Sequence, residues 1–157
     1  MYATIEQANA YVEAYYSSTD LLREKWSALS EQDKQVALNR AEQKIDLLPL
    51  SGHPEHEGKA FPREPHKHES LEAAKIATIE LAVQSLDGEQ KDRLATQAQG
   101  VRSYRIGDLS ETFAGAVSLK DFEMNLTISI VLPYLQRWLG GGYRICATHT
   151  RRYHGRL

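Results

Sequence analysis

The stretch that decides the fold is SLEAAKIATIELAVQSL, which occupies residues 70–86. Its larger apolar residues recur at intervals of three and four, which places them on one face of a helix. These residues are Ile76, Ile79, Val83 and Leu86. Most of the remaining positions suit a helix, alanine above all, and Gly88 follows as a stop. The pattern predicts a long helix over about Ser70–Leu86.

Three more helices are predicted ahead of this one. Thr4 followed by Gln7 has the pattern of a capping box, which opens a helix over about Ile5–Tyr16. The residues expected on its buried face are Ala8, Tyr11, Val12 and Tyr15. A second helix, over about Asp20–Ala28, would present Leu21, Leu22 and Trp26.

The third predicted helix starts at Ser30, runs to about Leu48 and is ended by Pro49. Its helical spacing predicts a buried stripe of Leu38, Ala41, Ile45 and Leu48. We expect the core to form from the helices around Ile5–Tyr16, Val36–Leu48 and Leu71–Leu86.

The pattern changes after residue 88. Residues 89–99 are polar and suit one short helix, whereas residues 101–113 alternate polar and apolar residues around Gly107-Asp108. That alternation around a turn dipeptide predicts a short β-hairpin. A last helical region runs from the cap Ser118 to Leu139, and Pro133 is expected to kink or divide it.

The predicted fold class is therefore mainly α: a small helical bundle with one long loop, a short β-hairpin and an extended C-terminal arm. The loop covers residues 49–69, a length that is usually functional or mobile. Gly140, Gly141 and Gly142 suit a hinge between a helical domain of residues 1–139 and an arm of residues 140–157.

Charge is distributed unevenly along the 157 residues, whose formal net charge is −2. Residues 144–157 contain four arginines and no acidic residue, so residues 1–143 contain 15 basic and 21 acidic residues, a net charge of −6. An acidic body with a basic arm suits charge-steered docking onto another protein or onto phosphate.

The same sequence predicts a protein that is neither secreted nor inserted in a membrane. Cys146 is the only cysteine, so no disulfide can form within the chain. The N-terminus lacks the basic and apolar regions of a signal peptide. The apolar stretch around Ile128–Leu139 is too short and too interrupted to cross a bilayer. We expect a protein that is soluble and located or assembled inside a cell.

Two groups of residues in the sequence could serve as sites of chemistry. Four of the six histidines, His53, His56, His66 and His68, lie in one loop, but they lack a cysteine pair and the spacing of a helical zinc pair. Cys146 lies near His149, although a glycine hinge before them does not suit the fixed geometry of covalent catalysis. The sequence therefore predicts no enzyme, no metal site and no cofactor.

Candidate partner-binding residues lie in the loop and in the arm. Pro62 favours an extended Phe61, whose ring can anchor the loop on the helices, and Arg63 offers a fork of donors beside it. Phe61 can instead fill the core beneath the loop, and the two roles are compatible. The candidates in the arm are Arg144, Arg151, Arg152, Tyr153 and Arg156.

These arm residues suit two kinds of partner. Arginine and tyrosine contact phosphates and stack on bases, and Arg102 and Arg105 around Tyr104 could do the same. The arm can equally dock on an acidic protein surface. The acidic body and the lack of a recognition helix favour a protein.

The order of several stretches resembles the head–tail connector (adaptor) proteins of tailed bacteriophages, a group with members labelled DnaT-like single-stranded-DNA-binding proteins. The resemblance rests on YATIEQANAY at residues 2–11, AFPR at 60–63, GVRSYRIGDLS at 100–110, and LPYL at 132–135 ahead of glycines and a basic end.

This resemblance implies a structural adaptor that forms a homo-oligomeric ring, typically a dodecamer, beneath the portal protein. The ring would extend the DNA channel, so that genomic DNA passes through it, and would dock a tail-side stopper or tail terminator protein. The expected location is the neck of the virion, assembled in the host cytoplasm, and the arm would reach the portal. The alternative function is single-stranded-DNA binding.

Overall fold

A computed structural model of the chain describes residues 1–88, 103–106, 109–112 and 119–139. This part of the chain is mainly helical, as predicted. Its helices are α1 (Ile5–Tyr15), α2 (Leu21–Ala28), α3 (Glu31–Asp46), α4 (Lys67–Gln84) and α5 (Leu119–Leu135), and its strands are β1 (Ser103–Ile106) and β2 (Leu109–Thr112).

Helix α4 lies at the centre of the bundle. It packs mainly against α3 and α5 and less extensively against α2, while α1 packs against α2 and α3. Ala74, Ala77 and Ala82 are fully buried, and residues 77–83 are buried without interruption. Small side chains let the neighbouring helices approach closely, so the burial extends around the helix beyond the predicted stripe.

The predicted buried stripe of α3 is confirmed, because Leu38, Ala41, Ile45 and Leu48 are all buried. The capping box of α1 is confirmed as well. The backbone N–H of Gln7 donates to Thr4 Oγ1 at 3.3 Å, and the backbone N–H of Thr4 donates to Gln7 Oε1 at 3.0 Å.

Two residues predicted on buried faces are exposed instead. Tyr15 is 73% exposed and Leu21 is 60% exposed. Tyr15 lies in the last turn of α1, where its ring packs against Tyr11 with the ring centroids 4.5 Å apart. Leu21 is the first residue of α2, before that helix meets the bundle. Helical spacing alone does not show where a helix leaves the core.

Helix α4 begins at Lys67, three residues before the predicted start. Ser70, the predicted first residue, has a side chain that is fully buried inside the first turn. There Ser70 Oγ accepts a hydrogen bond from the backbone N–H of Arg63 at 2.9 Å and donates to the carbonyl of Lys67 at 2.8 Å. The serine therefore joins the loop to the helix.

Helix α5 contains Pro133 and is not divided by it, so of the two predicted effects, a kink or a division, the division does not occur. A proline removes one hydrogen bond and crowds the carbonyl four residues earlier, here that of Ser129. Both Ser129 and Pro133 are exposed, and the helix ends two residues after the proline. The freed carbonyl can therefore be solvated, which lowers the cost.

Strands β1 and β2 pair antiparallel, with Ser103 opposite Thr112 and Ile106 opposite Leu109. Residues 107 and 108 between them lie outside the described residues, so the hairpin over 101–113 stays a prediction as a whole. The helix predicted at 89–99 and the arm at 140–157 also lie outside them. In the described residues no helix combines the length and apolar character needed to cross a membrane.

Candidate partner-binding site

Phe61 fixes the loop between α3 and α4 to the bundle. Its side chain is 2% exposed, and its ring meets Tyr2 on one side and Trp138 on another. Both contacts are edge-to-face with the ring centroids 6.0 Å apart, a favoured arrangement of aromatic pairs. The loop, the N-terminal segment and the end of α5 therefore share one aromatic cluster.

Arg63 holds the backbone of the same loop. Its guanidinium donates to four carbonyls, those of Ala60 (2.9 Å), Ser51 (2.8 Å), Leu50 (3.1 Å) and Gly52. The side chain is only 5% exposed, and this burial lowers the pKa of Arg63 from its ordinary value. The planar fork suits this task, because its N–H groups point in fixed directions toward several acceptors.

The loop is also joined to the last residues before the glycines. The Ser51 backbone N–H and hydroxyl both donate to the carbonyl of Trp138, at 2.6 Å and 3.0 Å. Leu50 forms an antiparallel bridge with Leu139. The position from which residues 140–157 continue is therefore fixed by the loop.

Gly52 makes the required turn in the loop. Its φ is +85°, a conformation that side chains with a Cβ rarely adopt. A Cβ at this position would lie 3.2 Å from the carbonyl oxygen of Glu64. A glycine is therefore needed both for the backbone conformation and for the close approach of the two sides of the loop.

A network of charged and polar groups closes the other side of the loop. Lys59 pairs with Glu42 and, at 3.3 Å, with Asp46. Asp46 also accepts a hydrogen bond from the Ala60 backbone N–H at 2.9 Å, and the Tyr2 hydroxyl donates to it. In turn the Tyr2 hydroxyl accepts a hydrogen bond from the Phe61 backbone N–H at 3.0 Å.

The contacts in this network change the pKa values of Glu42 and Tyr2. Burial raises the pKa of Glu42, but the hydrogen bond from Lys59 and the charge of the chain's N-terminus outweigh it, so the pKa of Glu42 is lowered. Burial and the hydrogen bond to Asp46 raise the pKa of the Tyr2 hydroxyl. Glu42 is therefore a buried anion held by cations from two separate segments.

Four histidines, His53, His56, His66 and His68, lie in this part of the chain. Within residues 1–88 and the described parts of 103–139, no group of three or more His, Cys, Asp or Glu could hold a metal ion. His53 and His56 are exposed, and His66 Nε2 lies 2.6 Å from Nη2 of Arg137. His66 therefore contacts the end of α5.

The structure brings together the two loop residues predicted to bind a partner. Phe61 and Arg63 are buried beside each other and support the loop from beneath. The exposed face of the site is formed by other residues of the loop, residues 51–59. The predicted arm residues Arg144, Arg151, Arg152, Tyr153 and Arg156 lie outside the described residues, as do Cys146 and His149.

Sequence reasoning missed Tyr2, Ser51 and Trp138 as parts of this site. Their contacts join positions up to 87 residues apart, so no local pattern indicates them. Glu42 and Asp46 could have been found from the sequence, because two acidic residues four positions apart lie on one face of a helix and need cations nearby.

A second buried carboxylate lies on α4. Glu80 is 7% exposed and accepts hydrogen bonds from the hydroxyls of Tyr11 and Tyr16, both at 2.8 Å, and from the side-chain amide of Gln84 at 3.1 Å. Burial raises the pKa values of both tyrosines, and their hydrogen bonds to Glu80 add to the rise. This cluster joins α1 to α4 and lies apart from the loop.

The chain is thus a small helical protein whose loop between α3 and α4 is firmly held beside the residues that precede the basic segment. Over residues 1–153 the chain matches the model of a family described as “Putative DnaT-like ssDNA binding protein”. The chain therefore belongs to this family. No curated protein and no solved structure matches it significantly.

Proposed function

We propose that the protein is a structural head–tail adaptor of a tailed bacteriophage, a subunit of a ring that binds the portal protein. The observation that carries the proposal is that the residues immediately before the basic segment are held in place by the loop. Ser51 and Leu50 bind Trp138 and Leu139, so the last described residues before the basic segment are held at a defined place on the body. A connecting segment between two assemblies needs such a fixed starting point.

The charge distribution supports a protein partner for this segment. Residues 1–88 contain 9 basic and 15 acidic residues. Several of the lysines and arginines on the bundle surface are already paired with carboxylates. The pairs are Lys59 with Glu42 and Asp46, Lys67 with Glu55 and Glu64, Lys75 with Glu72, and Arg137 with Glu69. A nucleic acid binds best along a continuous positive groove. A surface whose cations are already paired with carboxylates does not favour such binding.

The proposed assembly follows from the resemblance of the stretches at 2–11, 60–63, 100–110 and 132–135 to connector proteins. In it the subunits form a ring, typically of twelve copies in that class of protein, around passing genomic DNA in the neck of the virion. Arg144, Arg151, Arg152, Tyr153 and Arg156 bind the portal, and the exposed loop faces a neighbouring subunit or a tail-side protein. Its role is structural, with no reaction and no cofactor.

Deletion of residues 143–157 tests this function. The truncated protein should keep its helix content and its melting temperature, since the described core ends at Leu139, but should not bind the portal ring or join heads to tails. Circular dichroism, electron microscopy with a portal ring and a head–tail joining assay measure the three properties. Unfolding of the truncated protein, or portal binding that survives the deletion, would contradict the proposal.

A second function, single-stranded-DNA binding, is favoured by the description of the family to which the chain belongs. It predicts salt-dependent binding of an oligonucleotide by the full chain, with loss of affinity when Arg151 and Arg152 are replaced by glutamate. Arg40→Glu is the control, because Arg40 is an exposed cation on α3. Equal losses in the control and the double variant would indicate non-specific attraction.

A further inference from the structure

The cations of α2 and α3 differ from those of the loop. Arg23 donates to the carbonyl of Tyr16 at 2.9 Å, and Lys34 donates to the side-chain oxygen of Asn9 at 3.2 Å. Neither forms an ion pair with a carboxylate of the described residues. Lys34 also lies over the Trp26 ring, 5.7 Å from its centroid, and no carboxylate of the described residues neutralises either cation.

Arg23 and Lys34 line the same open cavity, which has a volume of about 220 Å³ and lies between α1, α2 and α3. Its other polar lining residues are Asn9, Glu13 and Ser27. Trp26 also lines it, but its side chain is only 1% exposed and forms part of the wall. The cavity is thus suited to a small charged group rather than to a stacked base.

The hydrogen bonds around the cavity leave donors unused. The side-chain oxygen of Asn9 accepts from the Trp26 indole N–H at 3.0 Å as well as from Lys34. The NH₂ group of Asn9 is therefore a donor that has no partner among the described residues. Arg23 uses one of its terminal nitrogens for Tyr16, and Lys34 has three N–H groups of which one serves Asn9. Donors from three helices therefore meet at one cavity.

We infer that this cavity binds a phosphate group. Two cations face one carboxylate, that of Glu13, so the lining has a net positive charge. Donors that come from three separate helices match a tetrahedral oxyanion, which accepts on several sides at once, better than a planar carboxylate. Arginine provides directed hydrogen bonds to such a group, and lysine provides a mobile point charge.

The phosphate can come from a free ion or from the backbone of a nucleic acid, and the chemistry of recognition is the same. In the second case the cavity would hold one phosphate of a strand while the bases remain outside, because Trp26 cannot stack on them. The inference does not depend on ring assembly or on residues 140–157, so it can fail or succeed independently of the adaptor function.

Titration of the full chain with inorganic phosphate, followed by the NMR signal of the Trp26 indole N–H, tests the site. We expect saturable binding that weakens about tenfold in Arg23→Gln and in Lys34→Met, since each loses a charge-assisted contact. Glu13→Gln should strengthen binding about twofold to fivefold, because it removes the one negative charge of the lining.

Arg40→Gln and Lys44→Met are matched controls, because they remove the same charges from exposed positions on α3 that do not line the cavity. Circular dichroism shows that each variant is folded. No saturable shift in the wild type, or equal weakening in the controls, would overturn the inference.

A second titration separates the sources of the phosphate. If a single-stranded oligonucleotide displaces inorganic phosphate and shifts the same indole signal, the site holds a backbone phosphate. If only inorganic phosphate binds, the site serves a free ion, which also supports the inference. Binding of a glutamate-rich peptide without binding of phosphate would overturn it, since the cavity would then be a protein contact.

Discussion

Replacement of Arg63 by lysine should destabilise the loop although it keeps the positive charge. The guanidinium of Arg63 donates to the carbonyls of Leu50, Ser51, Gly52 and Ala60, which lie on both sides of the loop. A lysine ammonium is a compact donor that cannot reach this spread of acceptors at once. The substitution therefore separates the geometry of the fork from its charge.

The magnitude follows from the surroundings of the four carbonyls. The hydrogen bond to Ala60 is buried, so its loss leaves an acceptor without water and costs about 1–3 kcal/mol. The other three bonds are partly buried, and water can replace part of each. The sum for Arg63→Lys is about 2–4 kcal/mol, which lowers the melting temperature of a domain of this size by roughly 4–16 °C.

Two measurements locate the effect. Urea unfolding followed by circular dichroism gives the change in the free energy of unfolding. Hydrogen exchange gives the local change at three loop amides: those of Glu55 and Glu64, whose hydrogen bonds cross the loop, and that of Ser51, which donates to the carbonyl of Trp138. We expect these amides to lose protection more than the amides of α4, because the loop opens before the bundle unfolds.

Arg40→Lys is the control, since Arg40 is exposed and has no contact in the described part of the chain that a lysine would lose. It should change stability by less than about 0.5 kcal/mol. If Arg63→Lys matched this control, or if α4 and the loop lost protection equally, the claim that Arg63 holds the loop through its fork of donors would be refuted.

Three further predictions concern other parts of the bundle. The pKa of Glu42 is lowered from its ordinary 4.5, so its charge stabilises the fold above that pH, and this stability is lost as the pH falls through the lowered pKa. Glu42→Gln should therefore lower the free energy of unfolding by about 1–2 kcal/mol in urea at pH 7, and the stabilities of variant and wild type should become equal in acid. Tyr16→Phe should cost about 1–3 kcal/mol in the same assay by removing a donor from buried Glu80, whereas Tyr15→Phe, at an exposed hydroxyl, should be neutral. Gly52→Ala should destabilise the protein by about 1 kcal/mol or more, because φ at this position is positive and the added Cβ would press on a carbonyl. The melting temperature in a calorimetric scan should therefore fall, and an unchanged melting temperature would show that the loop relaxes.

The helices could be predicted from the sequence because their signals are local. The capping box at Thr4 and the stripe ending at Ile45 depend on residues a few positions apart, and the structure has both. The errors fall at helix ends. Ser70 is the predicted first residue of α4, but its hydroxyl accepts a hydrogen bond from the loop, and the helix begins earlier, at Lys67.

The site could be predicted only in part, because its contacts are long-range. The pattern around Phe61 and Arg63 indicated an anchored loop but not the surfaces to which it is anchored. Trp138 and Tyr2 come from opposite ends of the described chain and meet at Phe61. Such a meeting depends on how α5 packs on α4, which the spacing of apolar residues does not encode.

The two candidate functions make different demands on the basic segment, and salt dependence can separate them. Each phosphate contact on single-stranded DNA contributes about 0.7 to the slope of log K against log salt. If the four arginines of residues 144–157 contact phosphates, deletion of residues 143–157 should reduce that slope by about 3 in oligonucleotide binding. If the segment binds the portal, the slope for oligonucleotides should not change, while binding to the portal is lost. The acidic balance of residues 1–88 and the carboxylates already paired with the surface cations favour the second result. A slope that falls by about 3 would instead establish the segment as a nucleic-acid contact and reverse our preference.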